Sequence, residues 1–154
     1  MQDQITLERI KALHPKLREE ALEIYNQICI ALTGKAICRF SFTLRSFKDQ
    51  EALYAQGRTI PGKIVTQAKA GLSYHNYGLA IDLVEIVNNQ ANWNFDYSKL
   101  VPFANKYGLF WGGNFKSIKD KPHFQKEFGY TYKQLLDKYK KGDLIPGTIY
   151  VNIS

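Results

Sequence analysis

Two short stretches of this 154-residue chain hold the residue types best suited to chemistry. Ser73-Tyr-His-Asn-Tyr-Gly-Leu-Ala-Ile-Asp82 offers one imidazole and one carboxylate, and Asp120-Lys-Pro-His123 offers a second of each. Two imidazoles and two carboxylates suffice for three metal ligands and one general base. A site with two His and one Asp leaves a fourth position open, which is the pattern of a catalytic zinc; structural zinc closes all four positions with protein ligands.

Each half of the set implies a local structure. Residues 79–87 alternate as a strand does, with Leu79, Ile81 and Leu83 on one face and Ala80, Asp82 and Val84 on the other. Asp82 is thus a carboxylate among small apolar side chains, where an uncompensated charge costs several kcal/mol or more, so a cation partner is expected. Gly78, between His75 and this strand, lets the chain turn closely past the site. In the second stretch Pro122 biases Lys121 toward extended backbone and excludes a helix interior. Asp120 and His123 therefore belong to a turn entering a strand at residues 122–125. A base there needs only to reach the proton of a metal-bound water. Taken singly, His75 reads as an ordinary packed histidine, Asp82 as half of an ion pair and Asp120 as a solvated charge; the combination carries the case. His14, next to Pro15 in a helix-to-helix turn, reads as structural.

Ser73-x-His75-x-x-Gly78-x-Ala80-x-Asp82 resembles the signature of the zinc D-alanyl-D-alanine carboxypeptidases and dipeptidases. That family includes the vancomycin-resistance peptidases and the L-alanyl-D-glutamate endopeptidases of phage lysins and bacterial wall hydrolases. The resemblance implies that His75, Asp82 and His123 bind zinc and that Asp120 is the catalytic base. Aspartate rather than glutamate at position 120 resembles the endopeptidase and phage-lysin branch, as do Trp111-Gly-Gly113 and Thr43-Leu-Arg-Ser46 followed by Gln50, Tyr54 and Gly57-Arg58. The resemblance runs from about residue 14 to about residue 128. It makes Arg45 the partner of the developing oxyanion, with Arg39 and Arg58 weaker candidates, and Ser73, Tyr74, Gln50 and Trp111 the substrate-binding set. For Ser73 two readings stand: a donor to a substrate carboxylate, or a turn residue holding the His75 backbone. Helix packing explains Tyr54 as well as a cleft does, and Trp111 fits core or cleft wall better than a chemical role.

The elements around these residues predict one α+β domain over residues 1–154. N-terminal helices pack on a short-stranded antiparallel sheet that carries the zinc site, as in the hedgehog and DD-peptidase-like fold that the resemblance implies. Helices are expected over residues 7–13, capped by Thr6, and from Pro15 to about Gly34, with Leu17, Ala21, Leu22, Tyr25, Ile28, Cys29 and Leu32 at helical spacing. A strand is expected over residues 36–44 and a helix over residues 49–56, capped by Asp49. Residues 62–71 and 88–94 read as loops, 97–107 as one helix, 109–111 and 122–125 as short strands, 131–141 as a last helix and 143–154 as a tail.

Composition narrows the class. Hydrophobic residues make up 45% and charged residues 23%, ordinary for a globular domain, and no apolar run reaches the roughly 18 residues of a membrane span. The N-terminus lacks a basic segment followed by an apolar one. The expectation is synthesis in the cytoplasm without an ordinary secretory leader, then action on the cell wall after release by a phage holin or another route, unless a leader has been removed. Cys29 and Cys38 lack CxxC spacing and read as buried free thiols. A net charge of +7 suits polyanions, here an anionic cell wall; no nucleic-acid partner is expected, because the lysines form no dense block. Neither Gly-x-Ser-x-Gly, Ser-x-x-Lys nor HExxH occurs.

The expected protein is a monomeric zinc metallopeptidase that cleaves the peptidoglycan stem peptide between L-alanine and D-glutamate. Its rivals are a D,D- or L,D-carboxypeptidase on the same site, a non-enzymatic zinc-stabilised binding domain and a nucleic-acid binder.

Overall fold

The second helix shows how the sequence builds the frame. In a computed structural model, which describes residues 2–153, Pro15 opens α2 (Pro15–Ala31) at its first turn, where a missing N–H costs nothing. Met1 and Ser154, the ends of the expected domain, lie outside the described residues. The buried stripe of α2 is Leu17, Ala21, Ile24, Tyr25 and Ile28. Ile24 replaces Leu22 of the expected stripe, and Leu22 is exposed. Leu17, Ile24 and Ile28 each contribute about 1.5–3 kcal/mol by their full burial.

Helix α1 (Gln4–Lys11) starts three residues before the expected position, because Asp3 rather than Thr6 caps it. The Asp3 carboxylate accepts from the Thr6 hydroxyl at 2.6 Å and from Arg39 at 3.0 Å on each oxygen. Thr6 is fully buried, and its Oγ1 accepts from the Phe40 N–H at 3.0 Å. This places Arg39 far from the chemistry, in an ion pair that ties α1 to β1 (Ile37–Phe42).

β1 pairs antiparallel with β2 (Ala80–Val87), the central strand, and β5 (His123–Gln125) lies on the other edge of β2. β4 (Phe110–Trp111) follows beyond β5, and β3 (Gln90–Asn92) folds back on β2. The expected loop at residues 88–94 is therefore a hairpin: Asn88 and Asn89 both take positive φ, 51° and 63°, as a tight primed turn requires, and asparagine tolerates that region. Ile81, Leu83, Phe40 and Phe124 join the core beneath α1 and α2. The alternation of β2 turns Asp82 to the opposite face.

The expected helix 97–107 is two pieces, a 3-10 turn Tyr97–Leu100 and α4 (Val101–Asn105). Pro102 has no N–H to bond back to Ser98, so the ladder breaks and restarts. α3 (Phe47–Ala55) is capped by Ser46, whose hydroxyl accepts from the Asp49 N–H at 3.0 Å; Asp49 instead sits in the first turn, where a negative charge suits the dipole.

The tail is docked. Val151 and Ile153 are buried in a second cluster with Tyr74, Tyr77, Leu79, Ala80 and Leu135 of α5 (Tyr132–Lys140). His14 fastens it: one ring nitrogen accepts from the Lys16 N–H at 3.1 Å, and Nε2–H donates to the Val151 carbonyl at 2.7 Å. Burial pushes the pKa of His14 down, which keeps the neutral ring that this dual role needs. Cys38 is buried, and Cys29 partly so; both are free thiols. No helix among the described residues is long and apolar enough to cross a membrane.

Candidate metal centre

The register of the central strand assembles the site. Asp82 of β2 stands directly opposite His123 of β5, so two residues 41 positions apart become cross-strand neighbours. A bulge in β1 between Phe40 and Phe42 brings Phe42 level with Asp82. Arg9 satisfies the carbonyls bent outward there, reaching Phe40 O at 2.8 Å and Ser41 O at 3.0 Å.

His75 comes from a 3-10 turn, Tyr74–Tyr77, held by a capping box. Ser73 Oγ accepts from the His75 N–H at 3.2 Å. Asn76 accepts from the Gly71 and Ser73 amides at 3.0 and 3.3 Å and donates to the Arg45 carbonyl at 3.0 Å. Asn76 thus ties the His75 turn to the Arg45 segment. Sequence reasoning passed over it, although it lies inside the motif. Gly78 closes the turn at φ 69°, and a Cβ there would sit 2.5 Å from the His14 amide nitrogen, so glycine is required.

Three ligand atoms converge: those of His75, Asp82 and His123 lie within 4.8 Å of one another. Asp82 Oδ1 is 3.2 Å from His75 Nε2 and 3.0 Å from His123 Nδ1. His75 Nδ1 lies 2.8 Å from the Thr43 carbonyl, which can only accept, so Nδ1 carries a proton and Nε2 faces the carboxylate. Nε2 is buried and has no hydrogen-bond partner among the described residues. A buried lone pair aimed at a carboxylate calls for a positive charge between them, and an imidazole–imidazole–carboxylate donor set suits a divalent ion such as zinc. These residues therefore fit the metal that the resemblance implies.

The electrostatics agree. Burial alone would raise the Asp82 pKa, but His75 and His123 hold it far below the usual carboxylate range. Burial likewise opposes the charged form of His123, and the Asp82 carboxylate overrides it and raises the pKa. Arg45 stands beside this cluster, with Nη2 3.9 Å from Asp82 Oδ2 and its guanidinium 4.7 Å from the centre of the Phe42 ring. Burial lowers the Arg45 pKa, partly offset by Asp82.

Asp120 is placed from the other side. Its amide donates to Gly112 O at 2.9 Å, its carbonyl accepts from the His123 N–H at 3.1 Å, and Oδ2 is 3.9 Å from His123 Nδ1. The side chain is 52% exposed to the cleft, unlike the ligands. Partial burial and the neighbouring Asp82 charge push its pKa up. Gly112 makes this approach possible: a Cβ there would lie 2.3 Å from the Asp120 carbonyl oxygen and 3.0 Å from His123 Cβ. Gly112→Ala is therefore expected to displace the Asp120 loop. A shift of about 1 Å can cost about 100-fold in turnover, and the backbone clash is expected to lower the urea midpoint as well. Unchanged turnover would show that the loop yields without moving the Asp120 carboxylate.

These groups line a cleft of about 900 Å³ that also takes in Phe42, Ser73, Tyr74, Trp93, Phe115, Glu127 and Tyr132. Of the expected substrate-binding residues, Ser73 and Tyr74 reach the cleft. Ser73 also does the turn work described above, and the Tyr74 hydroxyl is spent on the Tyr130 carbonyl at 2.6 Å. Gln50 is fully buried behind the cleft, where it accepts from Arg45 at 3.1 Å and donates to Ala68 O at 2.8 Å. It braces the arginine. Trp111 also stays out of the cleft: its ring packs over Gly113 and its indole N–H donates to Lys121 O at 2.7 Å, bracing the loop that bears Asp120. Arg58 stacks on Tyr54 at 3.8 Å and holds the Thr66 carbonyl, away from the metal ligands. Trp93 and Phe115 are cleft residues with no motif to announce them.

A sheet that presents two imidazoles and a carboxylate to an open cleft, with a further carboxylate and an arginine beside them, is the architecture of a metallopeptidase. Comparisons with known proteins agree. The family model described as D-alanyl-D-alanine carboxypeptidase matches residues 66–126. Peptidoglycan L-alanyl-D-glutamate endopeptidase CwlK of Bacillus subtilis (strain 168) is 46% identical over 126 residues, covering 73% of this chain and 72% of that protein. The crystal structure of Serratia marcescens L-Ala D-Glu endopeptidase ChiX matches with a TM-score of 0.54 and 26% identity, covering 80% of this chain and 87% of the other. The chain belongs to the D-alanyl-D-alanine carboxypeptidase and L-alanyl-D-glutamate endopeptidase family of peptidases.

Proposed function

We propose that this protein is a zinc-dependent hydrolase of the peptidoglycan stem peptide, cutting between L-alanine and D-glutamate. The convergence of His75, Asp82 and His123 on one point of an open cleft, with Asp120 and Arg45 at its edge, carries the reading. Two relatives named for that bond support the choice of substrate.

His75, Asp82 and His123 would hold the ion. When bound, zinc acidifies a water toward neutral pH and polarises the scissile carbonyl. Asp120 accepts the proton of the attacking water and returns it to the leaving D-glutamate amine. Its raised pKa brings it nearer the working range of a base at neutral pH. Arg45, held by Gln50 and lying over Phe42, faces the carbonyl oxygen as negative charge develops there. Thr43 O fixes the ring of His75. Ser73 can still donate its hydroxyl proton to a substrate carboxylate.

The +7 charge supports attraction to an anionic wall, and the chain acts there as a monomer after release from the cytoplasm. Mass spectrometry of purified peptidoglycan digested with zinc-loaded protein, beside a chelated control, tests the reading. New D-glutamate amino termini are expected. Free D-alanine alone would replace this reading with the carboxypeptidase one, which the family model's description favours. No metal-dependent product from several wall types would leave a binding domain.

A further inference from the structure

Gln125 and Glu127 have no role in the scheme above, yet they form a hydrogen-bonded chain that ends on a metal ligand. His123 Nε2 lies 2.7 Å from Gln125 Oε1, and Gln125 Nε2 donates to Glu127 Oε2 at 2.7 Å. His123 and Gln125 are both buried, 6% and 7% exposed, while Glu127 lies on the cleft wall. We propose that Glu127 acts through Gln125 as a positioning residue for His123, presenting Nδ1 to the metal.

An uncharged amide can face an imidazole with either its oxygen or its nitrogen. Alone, Gln125 would leave the choice open, and an N–H turned toward Nε2 would favour the tautomer whose proton sits on Nδ1, where a metal must bind. Glu127 removes the choice. A carboxylate accepts only, so the Gln125 amide must turn its N–H₂ to Glu127 and its oxygen to His123. The oxygen then demands a proton on Nε2, so Nδ1, 3.0 Å from Asp82, is the nitrogen left for the metal. β5 supplies the geometry: His123 and Gln125 are two apart on one strand and share a face, and Glu127 continues the row past its end. His75 receives the same service from a backbone carbonyl, Thr43 O, which cannot flip. The ring of His123 has only a side-chain amide to rely on, and that amide needs an anchor.

The proposal rests on the metallopeptidase reading, and its test separates the two. Zinc affinity is measured by indicator competition for the wild type, Glu127→Ala, and the reversed pair Gln125→Glu with Glu127→Gln. Ordering of the Gln125 side-chain amide is read by nitrogen-15 relaxation in the metal-free wild type and Glu127→Ala. The expected result for Glu127→Ala is a mobile Gln125 amide and zinc affinity about 10- to 100-fold weaker, the usual cost of losing a partner behind a metal ligand. In the reversed pair the carboxylate at position 125 accepts directly from His123, and the amide at position 127 donates to that carboxylate. This double variant is expected to recover most of the affinity. An equally ordered amide in Glu127→Ala, or unchanged zinc affinity with only a raised KM, would overturn the proposal and make Glu127 a substrate contact. A wild type that takes up no zinc would overturn the metallopeptidase reading, and the amide measurement would still decide whether Glu127 orients Gln125.

Discussion

Asp120→Ala is expected to lower turnover on muropeptides by roughly 100- to 10,000-fold, the usual range for removing a general base, while the protein still binds zinc. The two halves of this expectation come from one geometric fact. Asp120 is 3.9 Å from His123 Nδ1, beside the three-ligand cluster rather than in it, and its side chain is half exposed to the cleft where the ligands are shielded. Its removal takes away the proton acceptor and leaves all three donors. It also removes a negative neighbour of His123 and Arg45 without opening the core. Zinc content per chain and the rate of muropeptide cleavage, measured on the same preparation, check it. Full turnover in the variant would assign the base elsewhere; loss of zinc would make Asp120 a ligand. A zinc-stabilised binding domain predicts an alanine variant with unchanged function.

Asp82→Ala is expected to abolish zinc uptake. Asp82 Oδ1 is the atom on which both imidazoles converge, and the site without it keeps two imidazoles beside Arg45 with no carboxylate between them to hold a cation. In the wild type, zinc at about 100 times its dissociation constant should add about 2.7 kcal/mol of stability. That increment should vanish in the variant. Asp82→Asn keeps the volume, so a parallel loss in that variant assigns the effect to the ligand and not to packing in β2. Thermal unfolding with and without zinc gives the answer, and an undiminished zinc shift in Asp82→Asn would remove Asp82 from the ligand set.

The contrast between the two aspartates shows how environment divides labour between like groups. Asp82 is held ionised by two histidines and an arginine, which suits a permanent ligand. Asp120 is partly buried beside the negative charge of Asp82, and both push its pKa up. A ligand needs a carboxylate that never takes a proton at working pH, and a base needs one that can.

Residue type and spacing alone single out His75, Asp82, Asp120 and His123, because few arrangements of two imidazoles and two carboxylates make sense beside a glycine turn, an alternating strand and a proline. Periodicity alone also gives the long second helix and the strand that bears Asp82, since both signals are local. Local signals fail where a partner distant in sequence decides the outcome. Asp3 outranks Thr6 as a cap because Arg39 arrives from β1 to hold it, and Thr6 is needed by Phe40. Residues 90–92 become a strand because β2 offers an edge. Gln50 and Trp111 lie in the motifs, yet they face away from the cleft and brace Arg45 and the Asp120 loop, a matter of side-chain direction that spacing does not encode. The tail docks because His14, 137 residues from Val151, presents a neutral ring to its carbonyl. What only the tertiary structure decided is the meeting of Asp82 with His123: the β2–β5 register sets them opposite each other, and a slip of one residue would turn His123 to the other face of the sheet.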